Sequence, residues 1–501
     1  MADRLGDRPG PVGPADGERP HGAELIIADA QDVTASGSDA TWLFGLFALL
    51  LALSLIVHQL WWGGFGIDAR HSLVVLAALA VLRRPTSMAR FLAMIAVEVV
   101  AVGLDMPDVG SHTLLVLVIG ATVLVHVGWS ACRDRQLPDA GVLFTRIAPF
   151  LGIQLLLLFG LSALAKMNTG FFDVHTSCAA VMSRQVTWFR PSLVDGGWRI
   201  VPAIWGTVLV ESTLPVLLAV RRTRLIGLAV GMTFSAVLAL AGNAPFSALA
   251  LALYVAFLPS GAPTYLRTRV MRRPGVVRWA RRARRWGTSP GALVVTVAAL
   301  VIGAAVYPSS GPRPPPVSAG LRLVVFGMLA AGAVMCIGLA RVRSPLRSLR
   351  SMRLGRPVFA VGVALVLANG IAPYVGLKTE SAFTMFSNLY TEPGYWNHLF
   401  VPEAVRVFNG QDEVVRITGS NDPELAAASR DGTTFVRFEL DRYLRSHPRT
   451  IASYTIATYT SGTEPEATMT AVSATRPPGP LVDRIVKFQP VPPPGRGGCS
   501  R

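Results

Sequence analysis

Eleven apolar runs decide what this chain can fold into, because a stretch of about 20 apolar residues is unstable in water and just reaches across a bilayer as a helix. They fall near 41–62, 71–82, 90–104, 112–131, 147–165, 200–220, 225–241, 244–258, 291–307, 319–340 and 357–376. The second, third and eighth are short and borrow flanking residues, so ten or twelve spans also fit the pattern. A span must satisfy its own backbone, which makes each run a helix and the region 41–376 an all-α polytopic membrane bundle of about 11 transmembrane helices. Residues 1–40 are polar and acidic, lack a signal-peptide pattern and read as a disordered cytoplasmic tail. Past the last run, 377–476 has balanced charge, alternating apolar residues and turn signals, which predicts a small extracytoplasmic α+β domain, and 477–501 is a proline-rich tail.

Orientation follows from the basic residues between the runs, since short cytoplasmic loops carry the excess. The loops after even-numbered runs hold 24 Lys and Arg, and those after odd-numbered runs hold 7. This alternation places the N-terminus in the cytoplasm and 377–476 outside a cell (plasma) membrane, and it makes the net charge of +17 a matter of topology. The nine arginines from Arg267 to Arg285 could suit a nucleic acid, but between two spans they suit anionic lipid headgroups of the inner leaflet. Membrane lipids are therefore expected partners and nucleic acid is not. The four cysteines, Cys132, Cys178, Cys336 and Cys499, show no paired spacing and predict neither a disulfide framework nor a metal site; only Cys178 and Cys499 could meet in an oxidising compartment, and nothing in the sequence brings them together.

Within this pattern one stretch stands out, Gln154 to Asp173, reading QLLLLFGLSALAKMNTGFFD, where an apolar helix runs into a lysine. Only three lysines occur, Lys166, Lys378 and Lys487, against 44 arginines, and Lys166 alone adjoins hydrocarbon. Arginine stays protonated, whereas a desolvated lysine amine can accept a proton. An arginine would have served as a plain anchor, although a lysine that snorkels to the interface fits the same position.

The spacing of Gln154, Phe159, Ser162, Ala163, Lys166 and Phe171 resembles the helix Q-x4-Y-F-x-A-G-x-x-K followed by tryptophan of the membrane domain shared by vitamin K-dependent gamma-carboxylases and horizontally transferred transmembrane (HTTM) proteins. The resemblance extends from about 111 to 258. It implies that Lys166 is the base that deprotonates a reduced quinone or similar lipid-like substrate, that His112, in SHTLLVLVIG, supports the lysine, and that Glu211, in VLVESTLPVLL, is the family's acidic residue. It also implies a reduced quinone as cofactor. One departure matters: the family's phenylalanine-histidine pair is here Phe234-Ser235, and serine cannot replace an imidazole in proton transfer. Carboxylation of glutamate is then not expected, while simpler quinone or lipid chemistry at Lys166 survives.

The remaining polar residues admit plain readings beside functional ones. Glu98 and Glu211 lie inside apolar runs, where an ionisable group costs roughly 2.5–3.5 kcal/mol and needs a partner or a purpose; each could be protonated or bonded to a neighbouring helix. His112 could be a solvated helix start. The segment FFDVHTSCAAVMSRQVTWFRPSL, from Phe171, reads as an interfacial helix roofing the Lys166 site, with Asp173 and His175 in reach. Beyond 377, the alternation around Asn409-Gly410 predicts a hairpin, Asp422 to Ser429 a capped helix, TTFVRFEL and TIASYTIATYT strands, and Asp441 to Ser446 a short helix. The aromatic segment Phe383 to Phe400 is the expected contact to the bundle, and the outer domain the place for a protein partner. Glu211, about eleven residues into its run, should lie ~16 Å below the Lys166 level at 1.5 Å per residue, so His112 is expected in the pocket more firmly than Glu211. The alternative to an enzyme is a non-enzymatic binding or scaffold component, or less readily a transporter, that keeps the bundle without the chemistry.

Overall fold

A computed structural model describes residues 21–62, 68–186, 197–270, 278, 316–341, 352–456, 467–470, 479–493 and 499. Its helices in the apolar region are α1 (His21–Trp61), α2 (Ala69–Arg83), α3 (Met88–Asp105), α4 (Ser111–Asp134), α5 (Ala140–Ala165), the short α6 (Thr169–Phe172), α7 (Cys178–Val186), α8 (Gly197–Ala219), α9 (Arg224–Leu240), α10 (Ala244–Tyr254), α11 (Ala262–Tyr265), α12 (Pro316–Ala340) and α13 (Pro357–Ile371). Ten of the eleven apolar runs thus coincide with helices, and the run at 291–307 lies outside the described residues.

Fewer of them can cross a membrane unaided. Among the described residues five helices are long and apolar enough, Gly37–Trp61, Ser111–Asp134, Ala140–Ala165, Trp198–Ala219 and Ser318–Ala340, or six with the pair Ala244–Phe257 and Ala262–Thr268, which bends by 96°. The count of about eleven is therefore not reached. At 15 residues, α2 and α13 each span only ~22 Å of a core about 30 Å thick, and α3 carries Arg90, Glu98 and Asp105 along its 18 residues. Apolar helices of this number and length are those of an integral membrane protein. Their outer faces agree, since α8 buries Ile204, Val208 and Leu214 yet exposes Trp198, Trp205, Leu209 and Val216. A helix apolar on every side suits hydrocarbon rather than water.

Between helices the packing is aromatic and close. α1 lies against α5 and α10, α5 against α8, α8 against α9, and α13 against α4 and α5. Phe44, Phe47, Phe91 and Phe144 fill the centre of α1, α3 and α5 with ring centroids 5.1 to 6.0 Å apart. Gly227 lets α9 approach α8, since a Cβ there would stand 3.0 Å from the Leu217 backbone. The α8–α9 corner is closed by buried Arg224, whose guanidinium donates to the free carbonyls of Leu218 and Ala219 at the end of α8.

After α13 the chain wraps onto one end of the bundle and then forms a small α+β unit. β1 (Val414–Ser420), β2 (Thr434–Val436), β3 (Ile451–Ile456) and β4 (Ala467–Thr470) make an antiparallel sheet in the order β2-β1-β3-β4. α14 (Pro423–Asp431) and α15 (Arg437–Ser446) join the strands, and Val415, Ile417, Leu425, Leu440, Leu444, Ala452 and Tyr454 form the core between them. Asp422 caps α14 as its sequence predicts, accepting from the Glu424 and Leu425 amides.

Four expectations change here. No hairpin turns at Asn409-Gly410: residues 404–408 are not a strand, and β1 pairs with β2 and β3 instead. The predicted strand TTFVRFEL splits after Val436, because Arg437 opens α15, whose buried Leu440 and Leu444 repeat at helical spacing. The proline-rich tail is partly packed: α16 (Pro480–Ile485) leads to buried Phe488 and Val491, and Val491 bridges Thr434. At the other end α1 begins at His21, within the predicted tail, since ELIIADAQ holds no helix breaker.

Candidate functional site

Lys166 caps α5, and its direction follows from helix geometry. Side chains tilt toward the N-terminus of their helix, so a long amine at the last position reaches back down over the preceding turn. Its Nζ donates to Ser162 Oγ at 2.7 Å and pairs with Glu211 Oε2 of α8 at 2.8 Å. Ser162 Oγ in turn donates to the same carboxylate oxygen at 3.0 Å. The pair is almost closed to solvent, with side-chain exposures of 5% and 6%. This reach brings Glu211 into direct contact with Lys166 despite its expected depth. Pro202 and Pro215 inside α8 remove backbone donors on either side of Glu211.

The three residues predicted for the site, Lys166, His112 and Glu211, line one cavity of about 420 Å³ at the end of the bundle that carries the α+β unit. Its walls are otherwise mostly apolar: Leu158 and Phe159 of α5, Ala203 and Val210 of α8, Phe234 and Val237 of α9. The roof is partly the predicted one, from Phe171 and from Ala179, Met182 and Val186 of α7; residues 187–196, with Trp188, Phe189 and Arg190, lie outside the described residues. The Lys166 ammonium stands 5.8 Å from the centre of the Phe171 ring. His112 contributes differently from expectation. Its hydrogen-bond partner is not the lysine but His58 of α1, with Nε2 3.0 Å from His58 Nδ1.

The segment after α13 completes the enclosure with Phe383, Met385 and Phe386. Four residues there, Ser381, Phe383, Phe386 and Asn388, hold positive φ of 55° to 60°. Non-glycine residues take that region only when their surroundings force them into it. The forcing contacts run to the bundle. Ser381 Oγ donates to the Val109 carbonyl, the Phe383 amide to Ser111 Oγ, and Asn388 Oδ1 accepts from the Cys178 amide at 2.7 Å. Asn168, fully buried just past Lys166, donates to the Ala165 and Ser387 carbonyls and accepts from the Phe171 amide. His398 lies 3.0 Å from the Leu164 carbonyl. The end of α5, the roof and the strap 381–398 are thereby one hydrogen-bonded piece.

A disulfide adds to it. Cys178, at the start of the roof helix, is bonded to Cys499 across 321 positions. These are the two cysteines that could meet in an oxidising compartment, and a contact between residues 321 positions apart is one that no local pattern in the sequence encodes. Cys132 and Cys336 remain free thiols.

The other marked residues do not join the site. Gln154 is fully buried without lining the cavity, and neither of its amide atoms has a partner. Glu98 is buried with both oxygens unpartnered, and His126 packs on Phe359 with ring centres 4.8 Å apart. Ser235 turns away from the cavity to meet the Tyr254 hydroxyl at 3.2 Å, while its neighbour Phe234 lines the wall. Asp173 spends its carboxylate on the His175 amide and the Thr176 hydroxyl, a local turn at the surface. Burial displaces charged groups outside the bundle: desolvation raises the Glu392 carboxyl to about 7 and lowers the Lys378 amine to about 8. Among the described residues no group of His, Cys, Asp and Glu could hold a metal ion.

No family model, curated protein or solved structure matches this chain.

Proposed function

We propose that this is an integral membrane enzyme of the HTTM and carboxylase-like class, in which Lys166 acts as the base on a reduced quinone or similarly acidic lipid headgroup. One observation carries the reading: a buried amine, hydroxyl and carboxylate within 3.0 Å of one another form the polar corner of an apolar cavity. A volume of about 420 Å³ suits a ring-sized headgroup, and the few convergent polar groups would fix its orientation. To act as a base the Lys166 amine must be neutral in the working form. A substrate hydroxyl then gives its proton to Nζ, and the resulting ammonium faces a substrate oxyanion, with Ser162 able to hydrogen-bond either partner. Ser235, turned toward Tyr254, offers no second base, so the reading stops short of glutamate carboxylation.

The proposed topology keeps the N-terminus in the cytoplasm and the α+β unit outside a plasma membrane, with lipid around the bundle and a protein partner at the outer unit. The alternation of basic loops supports it, and so does the Cys178–Cys499 disulfide, because such bonds persist in oxidising compartments and this one lies on the roof of the cavity.

The occupied amine favours a second reading, a binding component in which the pair only anchors a headgroup. Turnover of a panel of reduced quinones by the purified protein separates the two. Catalysis requires loss of turnover in Lys166→Arg; equal turnover by that variant refutes the base.

A further inference from the structure

We propose that the loop 399–408 sits in the membrane interface, where it carries the lipid-facing surface of the bundle past the end of α13. The inference does not depend on any chemistry at Lys166. Leu399, Phe400, Val405, Val407 and Phe408 are all exposed, Phe400 by 72% and Val407 by 70%. The loop's charged residues are Glu403 and Arg406, which pair with each other at 3.7 Å, and Arg406 also reaches Asp412 at 2.9 Å. Large apolar side chains clustered in this way are a surface that water does not favour, and such a patch marks an interface. Its position in the fold identifies the occupant as lipid.

The apolar run 147–165 of α5 is ~28 Å long, close to the full thickness of a hydrocarbon core. α13 runs beside it in the same direction, since a Cβ added at Gly362 would strike Phe150 and one at Gly370 would strike Leu161. α13 therefore ends, at Ile371, about one helical turn or ~5 Å short of the level of Ala165. The loop fills that step. Its Leu399 amide donates to the Met167 carbonyl just past α5, and its Val407 and Phe408 amides both donate to the Val375 carbonyl just past α13. α13 exposes Val361, Leu365 and Ile371 to lipid, and past its end the exposed apolar side chains are those of the loop.

A loop at this depth has to satisfy its own backbone, because hydrocarbon offers no acceptors. Pro402 has no amide, and of the nine amides that remain in 399–408, the seven of 399–401 and 405–408 donate within the protein. The other two belong to Glu403 and Ala404, beside the ion pair. His398 organises the near end. Its Nδ1 accepts from the Phe400 and Val401 amides at 3.1 and 2.8 Å, which leaves Nε2 to donate to the Leu164 carbonyl at 3.0 Å. A loop with a satisfied backbone and outward apolar side chains, tied to the ends of α5 and α13, is built for the boundary between headgroups and acyl chains, where aromatic rings are favoured.

The test uses the full chain with Cys132→Ser in lipid nanodiscs, spin-labelled at Phe400→Cys and, separately, at Val407→Cys. Cys336 is buried and Cys178 and Cys499 are bonded to each other, so the introduced thiol is the one that reacts. Leu365→Cys on α13 serves as the lipid reference and Glu424→Cys on the α+β unit as the water reference, both positions being exposed. Collision rates with oxygen, which concentrates in hydrocarbon, and with a neutral nickel chelate, which stays in water, give a ratio at each site. The ratio at 400 and 407 should lie within about threefold of that for Leu365→Cys and exceed that for Glu424→Cys about tenfold. Ratios at both loop positions equal to that for Glu424→Cys put the loop in water and overturn the proposal. Low collision rates with both reagents show a surface covered by protein, such as a second copy of the chain, and overturn it as well. Independently of the labels, benzoylphenylalanine in place of Phe400 should form lipid adducts on irradiation, and adducts confined to protein refute the assignment.

Discussion

The Lys166–Glu211 pair makes a quantitative claim on stability. At 2.8 Å in an effective dielectric of about 20, two unit charges attract by about 6 kcal/mol, against a desolvation cost of several kcal/mol for each buried ion. The net value of the intact pair is therefore small, yet deleting either member strands the other in the bundle. Lys166→Met leaves a carboxylate with only Ser162 Oγ at 3.0 Å, and Glu211→Leu leaves an amine with only the same hydroxyl at 2.7 Å. Each single change should cost about 3–5 kcal/mol, a factor of roughly 10² to 10⁴ in the folding equilibrium, whereas the double change to Met and Leu should recover most of it. Reversible unfolding of the four proteins in detergent micelles, by steric trapping or SDS titration, closes the cycle. A coupling energy of at least about 2 kcal/mol is expected. Single losses below 1 kcal/mol, or losses that simply add in the double variant, refute a buried, mutually dependent pair.

Two further outcomes follow from the region around the cavity. In the native protein Cys132 should react with a maleimide while Cys178 and Cys499 react only after reduction, and Cys499→Ser should lower stability by about 2–4 kcal/mol, read as a loss in thermal midpoint. Glu392, whose folded value of about 7 lies above the ordinary 4.5, binds its proton more tightly when folded, so its contribution is fully present below 4.5 and lost as pH rises through 7. Glu392→Gln should remove that loss, flattening the fall in thermal midpoint between pH 5 and 8; an unchanged slope shows that the carboxyl is solvated.

How much of this was legible in the chain depends on the range of the interactions involved. Apolar runs and caps are local, so the helices around Leu155, Leu214 and Leu329, and the Asp422 cap, follow from neighbours in sequence. Span sufficiency is less local, because α3 carries three charged residues, and two of them, Arg90 and Asp105, find partners only on α2, at the Ala80 carbonyl and at Arg70 and His71. The rarity of lysine marks Lys166 at the end of α5, whereas its backward reach to Ser162 and Glu211 is a rotamer property that spacing along α8 cannot express. His58 carried no signal at all: a lone histidine near the end of an apolar run gains a partner only where the end of α1 meets the start of α4. Likewise Asn168, Asn388 and Ser381 look like loop residues until the strap is laid across α5. The hairpin at Asn409-Gly410 shows the converse, where a strong local turn signal yielded to β1 finding better partners in β2 and β3.

The strap has a consequence for biosynthesis. Phe383, Met385 and Phe386 emerge from the ribosome after every helix that lines the cavity, and the disulfide partner Cys499 emerges later still. A chain stalled after Ile371 can insert its helices but leaves Lys166 and Glu211 in an open trough without those three walls. The cavity is thus enclosed late, when a segment with four residues at positive φ docks onto Asn168 and the roof.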